Sequence, residues 1–108
     1  MDEKKSLEPE ILEEAVGIFK ILSDPTRVSI LYLLKKQELN VGAISEALEM
    51  EQSAISHQLQ LLRSARLVKS RREGRSVIYS QEDDHVYQIL DQVLLHAKEK
   101  QIETNSAL

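Results

Sequence analysis

The feature that most constrains this chain is the run LVKSRREGRSVIYS, Leu67 to Ser80, set directly after a helical pattern with a polar outer face. Leu67-Val68 and Val77-Ile78-Tyr79 are apolar arms rich in β-branched residues, and Glu73-Gly74 sits between them, so the run predicts a β-hairpin. The segments on either side of it have helical spacing. The expected class is therefore mainly α with a small β-hairpin, in the order α-α-α-α-β-β-α.

Four helical segments precede the hairpin. Ile11, Leu12, Ala15, Val16, Phe19 and Leu22 recur at helical spacing from about Leu7 to Leu22. Asp24 is placed to cap the next helix and Pro25 to occupy its first turn. That second helix extends to about Gln37 on Val28, Ile30, Leu31, Leu33 and Leu34, with Arg27 on its first turn. Asn40 caps a short third helix carrying Ala43, Ile44, Ala47 and Leu48, and a fourth spans Gln52 to about Ala65 with Ile55, Leu59, Leu61 and Leu62 inward. Beyond the hairpin, Val86, Ile89, Leu90, Val93, Leu94 and Ala97 define a last helix from about Asp84 to Lys100, and QIETNSAL reads as a frayed tail. The 108 residues are read as a single domain, 1-108, ordered over about 7-100. A core this small is often completed by dimerisation.

The formal charge of -4 argues against a polyanionic partner until the chain is divided. Met1 to Gln52 holds 6 Lys/Arg against 11 Asp/Glu, Ser53 to Arg75 holds 6 against 1, and Ser76 to Leu108 holds 2 against 6. A basic stretch inside an acidic chain suits a groove-reading element, because phosphate attraction depends on nearby charge and salt screens the rest within about 10 Å. The bland alternative is a solvated basic face. No apolar run approaches the roughly 20 residues that span a bilayer, and MDEKKSLEPE lacks the apolar stretch of a secretory signal. The chain is expected to be soluble and cytoplasmic, with no membrane partner. It has no Cys, which removes disulfides, thiolate metal sites and Cys nucleophiles.

The fourth helix leaves Ser53, Ser56, His57, Gln58 and Gln60 free to face outward, side chains that hydrogen-bond phosphates and base edges. A short helix, a tight turn and a second polar-faced helix form a helix-turn-helix pattern. The hairpin that follows, with Arg71, Arg72 and Arg75 at its tip, is then a wing that reaches phosphate or the minor groove. This winged helix-turn-helix would meet double-stranded operator DNA through Gln52, Ser53, Ser56, His57, Gln58, Arg63, Lys69, Arg71, Arg72 and Arg75.

The segments FKILSDPTRVSILYLL, SAISHQLQLLRSARLVKSRREGRSVIYS and the last helix together resemble the ArsR/SmtB family of bacterial metal-responsive repressors, over about residues 10 to 100. The resemblance implies a homodimer through the first and last helices that leaves its operator when an inducer binds. One departure is Glu51, where similar sequences carry a small hydroxyl residue as the cap of the recognition helix.

Two of the three histidines lie in the last helix beside carboxylates, as Asp83-x-His85 and His96-x-x-Glu99. His85 and His96 are 11 residues apart, within about 20° of whole turns but about 16 Å along the axis. Zinc ligands each lie about 2 Å from the ion, so one helix cannot close a site. Two helices packed antiparallel about a two-fold axis can, with Asp83 and His85 of one subunit meeting His96 and Glu99 of the other. Such an N2O2 set suits four-coordinate Zn(II), accepts Co(II), and with altered geometry Ni(II). The bland alternative is that the histidines are interface polar groups and the acids a helix cap. The resemblance implies the metal reading, since the family's zinc-sensing branch places its ligands at these positions; it also implies that His96 donates its second N-H to backbone near Arg66. His57 is read as a DNA-facing or packing residue.

These readings combine as a repressor that releases its operator on binding Zn(II) or Co(II) at two intersubunit sites and controls metal efflux or resistance genes. The alternative is a repressor of the same fold answering to another metal or a non-metal signal. Four protein ligands at a helical interface leave neither an open coordination position nor a substrate cleft, so no enzyme activity and no small organic substrate are expected. A purely structural dimerisation module would leave the basic helix and wing unexplained.

Overall fold

A computed structural model describes residues 6–106 and contains five helices and three short strands: α1 Pro9–Ile21, α2 Pro25–Lys36, β1 Leu39–Asn40, α3 Val41–Leu48, α4 Gln52–Ser64, β2 Val68–Glu73, β3 Ser76–Gln81 and α5 Asp84–Ser106. The helix starts follow their local chemistry. Asp24 accepts a hydrogen bond from the Arg27 N-H at 3.0 Å ahead of Pro25, and Asn40 accepts one from the Ala43 N-H at 2.8 Å. Each side chain satisfies one amide that the first helical turn leaves without a partner.

The strands form an antiparallel sheet in the order β1-β3-β2. β2 and β3 pair from Val68 opposite Gln81 to Glu73 opposite Ser76, leaving Gly74-Arg75 as a two-residue turn. Gly74 has φ 63, the left-handed value that a primed hairpin turn needs at its first position. The third strand, β1, is an addition to the expected hairpin; Leu39 pairs with Tyr79 and Asn40 with Ile78. Two residues are too short to show alternation, and Asn40 is also the cap of α3.

The core is built from Ile30, Leu31 and Leu34 of α2, Ile44 of α3, Ile55, Leu59 and Leu62 of α4, Leu67 and Val68 beneath the wing, and Val86, Tyr87 and Leu90 of α5. Leu61, expected inward, is exposed; at about 100° per residue it is rotated well away from the Ile55, Leu59 and Leu62 stripe. Helix α5 continues to Ser106, past the expected end at Lys100, because Gln101 to Ser106 holds neither Gly nor Pro to stop it.

Helix α1 buries none of its residues. Ile18, Ile21 and Leu22 pack against the core in part, while Ile11, Leu12, Val16 and Phe19 face solvent along one stripe. On α5, Ile89, Val93, Leu95 and Ile102 are likewise exposed. The radius of gyration is 16.9 Å, against about 13 Å for a compact chain of this length. Both outer helices thus leave apolar surface uncovered.

Candidate DNA interface and metal-ligand positions

The turn of the helix-turn-helix is made by Glu49, Met50 and Glu51. Glu49 adopts φ 54, a left-handed cap for α3, and the Met50 N-H reaches back to the Ser45 carbonyl at 3.0 Å. The Ser45 hydroxyl donates to the Met50 carbonyl, so both backbone polar groups of Met50, at the middle of this turn, are tied to one buried residue. A side chain added at Gly42 would come within 3.7 Å of Gln52 Nε2, which places the start of α4 close over the start of α3. Glu51 caps α4 by position only, with no side-chain hydrogen bond, as its long side chain in place of a short hydroxyl leads one to expect.

With Ile55, Leu59 and Leu62 inward, α4 exposes Gln52, Ser53, Ser56, His57, Gln60 and Arg63. Gln58 departs from the expected outward set. It is half-buried, and its Oε1 accepts a 2.8 Å hydrogen bond from Arg27 Nε on α2. Its position, one before the buried Leu59, turns it toward α2.

At the far end of α4, Arg66 takes φ 61. Its N-H donates to the Arg63 carbonyl at 3.0 Å and the Leu67 N-H to the Leu62 carbonyl at 2.9 Å, a Schellman-type closure that turns the chain into β2. Arg66, Ser64 and Ala65 line an open groove against Ile18 and Ile21 of α1. The left-handed backbone carried by an arginine has no sequence signal, since glycine is the usual occupant.

On the wing, Lys69, Arg72 and Arg75 are exposed, and among the described residues no carboxylate ion-pairs with them. Arg71 differs. Its guanidinium pairs with Glu38 and with Glu73, each at 2.9 Å, and these hydrogen bonds raise its pKa further above the ordinary arginine value. The expected tip cation is therefore already balanced, because the loop before β1 brings Glu38 beside β2.

The four candidate ligands sit on α5 and its entry. Asp83 caps the helix: its Oδ1 accepts from the His85 N-H at 2.8 Å and the Val86 N-H at 3.2 Å, and lies 3.3 Å from His85 Nδ1. The His85 side chain is 92% exposed, and His96 and Glu99 are exposed as well. At about 100° per residue, His85, Ile89 and His96 fall within about 40° of one another, opposite the Tyr87 and Leu94 side that packs on the core. Among the described residues of one chain, no three His, Asp or Glu side chains converge on a common point. The donor chemistry fits a divalent ion, with two imidazoles, the second Asp83 oxygen and Glu99.

A model of the bacterial regulatory protein arsR family matches residues 24–70, from the cap of α2 into β2. The transcriptional repressor SmtB homolog of Synechocystis sp. is 38% identical over 104 residues, covering 92% of this chain and 79% of that protein. The chain belongs to the arsR family. The cadmium resistance transcriptional regulatory protein CadC homolog of Staphylococcus aureus is 38% identical over 97 residues, 89% of this chain and 80% of its own length. Among solved structures, the homodimeric winged helix-turn-helix DNA-binding domain Mb0332 of Mycobacterium bovis superposes with a TM-score of 0.79 at 31% identity, covering 92% of each chain. This arsR-family chain is thus a winged helix-turn-helix regulator and not an enzyme. No helix among the described residues is long and apolar enough to cross a membrane.

Proposed function

We propose that this arsR-family protein is a cytoplasmic homodimeric repressor whose operator complex is released when Zn(II) binds two symmetry-related sites, each made by Asp83 and His85 of one subunit with His96 and Glu99 of the other. The observation that carries the reading is the α5 face on which exposed His85 and His96 flank exposed Ile89. Apolar side chains left in water call for a partner surface, and an antiparallel partner helix brings the two half-sites together. The cadmium resistance role in the name of the Staphylococcus aureus relative supports a metal as the signal and metal efflux or resistance genes as the target. Co(II) fits the same donors, and Ni(II) with altered geometry.

DNA contact in this reading falls to Gln52, Ser53, Ser56, His57 and Arg63 on α4 in the major groove, with Lys69, Arg72 and Arg75 on the wing at the backbone or minor groove. Gln58 and Arg71 are instead engaged within the chain, Gln58 by Arg27 and Arg71 by Glu38 and Glu73. Release requires that metal bind the free dimer more tightly than the operator-bound one. The bound ion would supply a fixed link between the two α5 helices. With the ion in place, His96 would have its second ring N-H free to donate to backbone, which the family resemblance places near Arg66 between α4 and the wing, and so would couple α5 to the reading head.

Subunit complementation tests the shared site. A chain with Asp83→Asn and His85→Gln is mixed with one carrying His96→Gln and Glu99→Gln. Each homodimer loses high-affinity Zn(II) binding, while the heterodimer, purified from the mixture, regains one site, read by isothermal titration as one ion per dimer against two for wild type. A heterodimer without binding would refute the shared site.

A further inference from the structure

Arg27 is a residue that DNA contact and metal binding leave without a task. It lies half-buried on the first turn of α2. Its backbone N-H is fixed by Asp24 at 3.0 Å, its Nη1 donates to the Ile21 carbonyl at the end of α1 at 3.3 Å, and its Nε donates to Gln58 Oε1 on α4 at 2.8 Å. One planar guanidinium therefore joins three helices. Helix α1 has no fully buried residue of its own, so a directional, charge-assisted bond at its end counts for more in setting its angle than it would on a helix with its own buried face. The bond also takes the acceptor of the one α4 amide that is turned inward.

We propose that Arg27 is a positioning residue for operator recognition: it ties the end of α1 to the recognition helix through Gln58 and so transmits the geometry of the outer helices to the reading face. The inference rests on the reading of α4 as the operator-binding helix. In this arrangement Arg27 touches no phosphate and Gln58 reads no base. Both act through the angle of α4, and they act as one unit.

A double-mutant cycle on the metal-free, full-length protein tests this, with Arg27→Met, Gln58→Met and the pair. Binding is read by anisotropy on an operator selected from random duplexes and on an unrelated duplex, each over a range of salt. Each single variant is expected to weaken operator binding about tenfold. The double is expected to be no weaker than the worse single, because residues sharing one interaction are not additive. The salt slope and the binding of unrelated DNA stay at wild-type values. A slope reduced by about one for Arg27→Met, with unrelated DNA weakened in parallel, would identify a phosphate contact and overturn the proposal. Additive losses would assign Gln58 to direct base reading and overturn it too, as would unchanged affinities.

A second readout does not depend on DNA. Arg27 Nε-H is expected to give a guanidinium N-H resonance protected from solvent exchange, lost in Gln58→Met while the backbone spectrum of the α2 core is retained. Its absence in wild type refutes the tie itself. A protected resonance in a protein that selects no operator instead refutes both the operator reading and the role of Arg27 in recognition, leaving only the bond. Arg27→Lys, which keeps the charge without the fork, gives the same loss as Arg27→Met should the latter fold poorly.

Discussion

Tyr87 offers a direct check on how the core and α5 are held together. The ring is buried, 4% exposed, between α5 and the body of the domain, and its hydroxyl has no hydrogen-bond partner among the described residues. A buried hydroxyl without a partner costs about 1–3 kcal/mol in lost hydration, whereas the ring supplies apolar burial that phenylalanine keeps in full. Tyr87→Phe should therefore stabilise the metal-free protein, by about 1 kcal/mol. The assay is urea unfolding at one fixed protein concentration, because dissociation of a dimer makes apparent stability concentration-dependent. A pH series gives a second arm. Burial raises the Tyr87 pKa well above the ordinary tyrosine value, so the unfolded chain releases this proton first. Stability from the neutral ring is then complete below about pH 10 and falls as the pH rises above it, by up to about 1.4 kcal/mol per pH unit per chain. Tyr87→Phe removes that component of the alkaline loss. A substitution that instead costs 1 kcal/mol or more at neutral pH would show that the hydroxyl has a partner, and would refute the reasoning.

Glu51→Ser restores a short hydroxyl at the α4 cap and should raise stability by about 0.5–1 kcal/mol, seen as a higher urea midpoint at unchanged slope. Asp83 has two roles that separate by substitution. Asp83→Asn keeps an oxygen for the Val86 N-H and should unfold like wild type while binding Zn(II) at least tenfold more weakly by titration; Asp83→Ala should weaken the metal equally and also lose about 1 kcal/mol of stability. On the wing, Arg72→Ala and Arg75→Ala should each lower the salt slope of DNA binding by about one, and Arg71→Ala by clearly less, since Glu38 and Glu73 already hold its charge.

The elements with strong periodicity or cap chemistry were legible in the sequence. Asp24-Pro25 and Asn40 marked helix starts because a side-chain acceptor before a helix has one obvious use, and Gly74 marked the hairpin turn where a positive φ is needed, though the turn proved to be Gly74-Arg75 with Glu73 still paired in β2. The two-residue β1 was not legible, since its pairing with Tyr79 and Ile78 is set by tertiary contact. Neither was the fate of Gln58 or Arg71. Residue type shows that an amide or guanidinium can contact DNA, but only the fold shows that Arg27 or Glu38 reaches it first. Spacing alone put His85 and His96 on one face of α5, because a helix makes angle and rise calculable; that they form a metal site with Asp83 and Glu99 is what the family resemblance implies.

Release of DNA by metal at the α5 positions is what the proposed function requires. Its most direct test is the anisotropy-measured affinity of the wild-type protein for its selected operator, without metal and at saturating Zn(II). A coupling of about 1–3 kcal/mol predicts operator binding weakened about 5- to 150-fold when the sites are filled. Equal affinity with and without Zn(II), at a metal concentration where titration shows two ions bound per dimer, would contradict it.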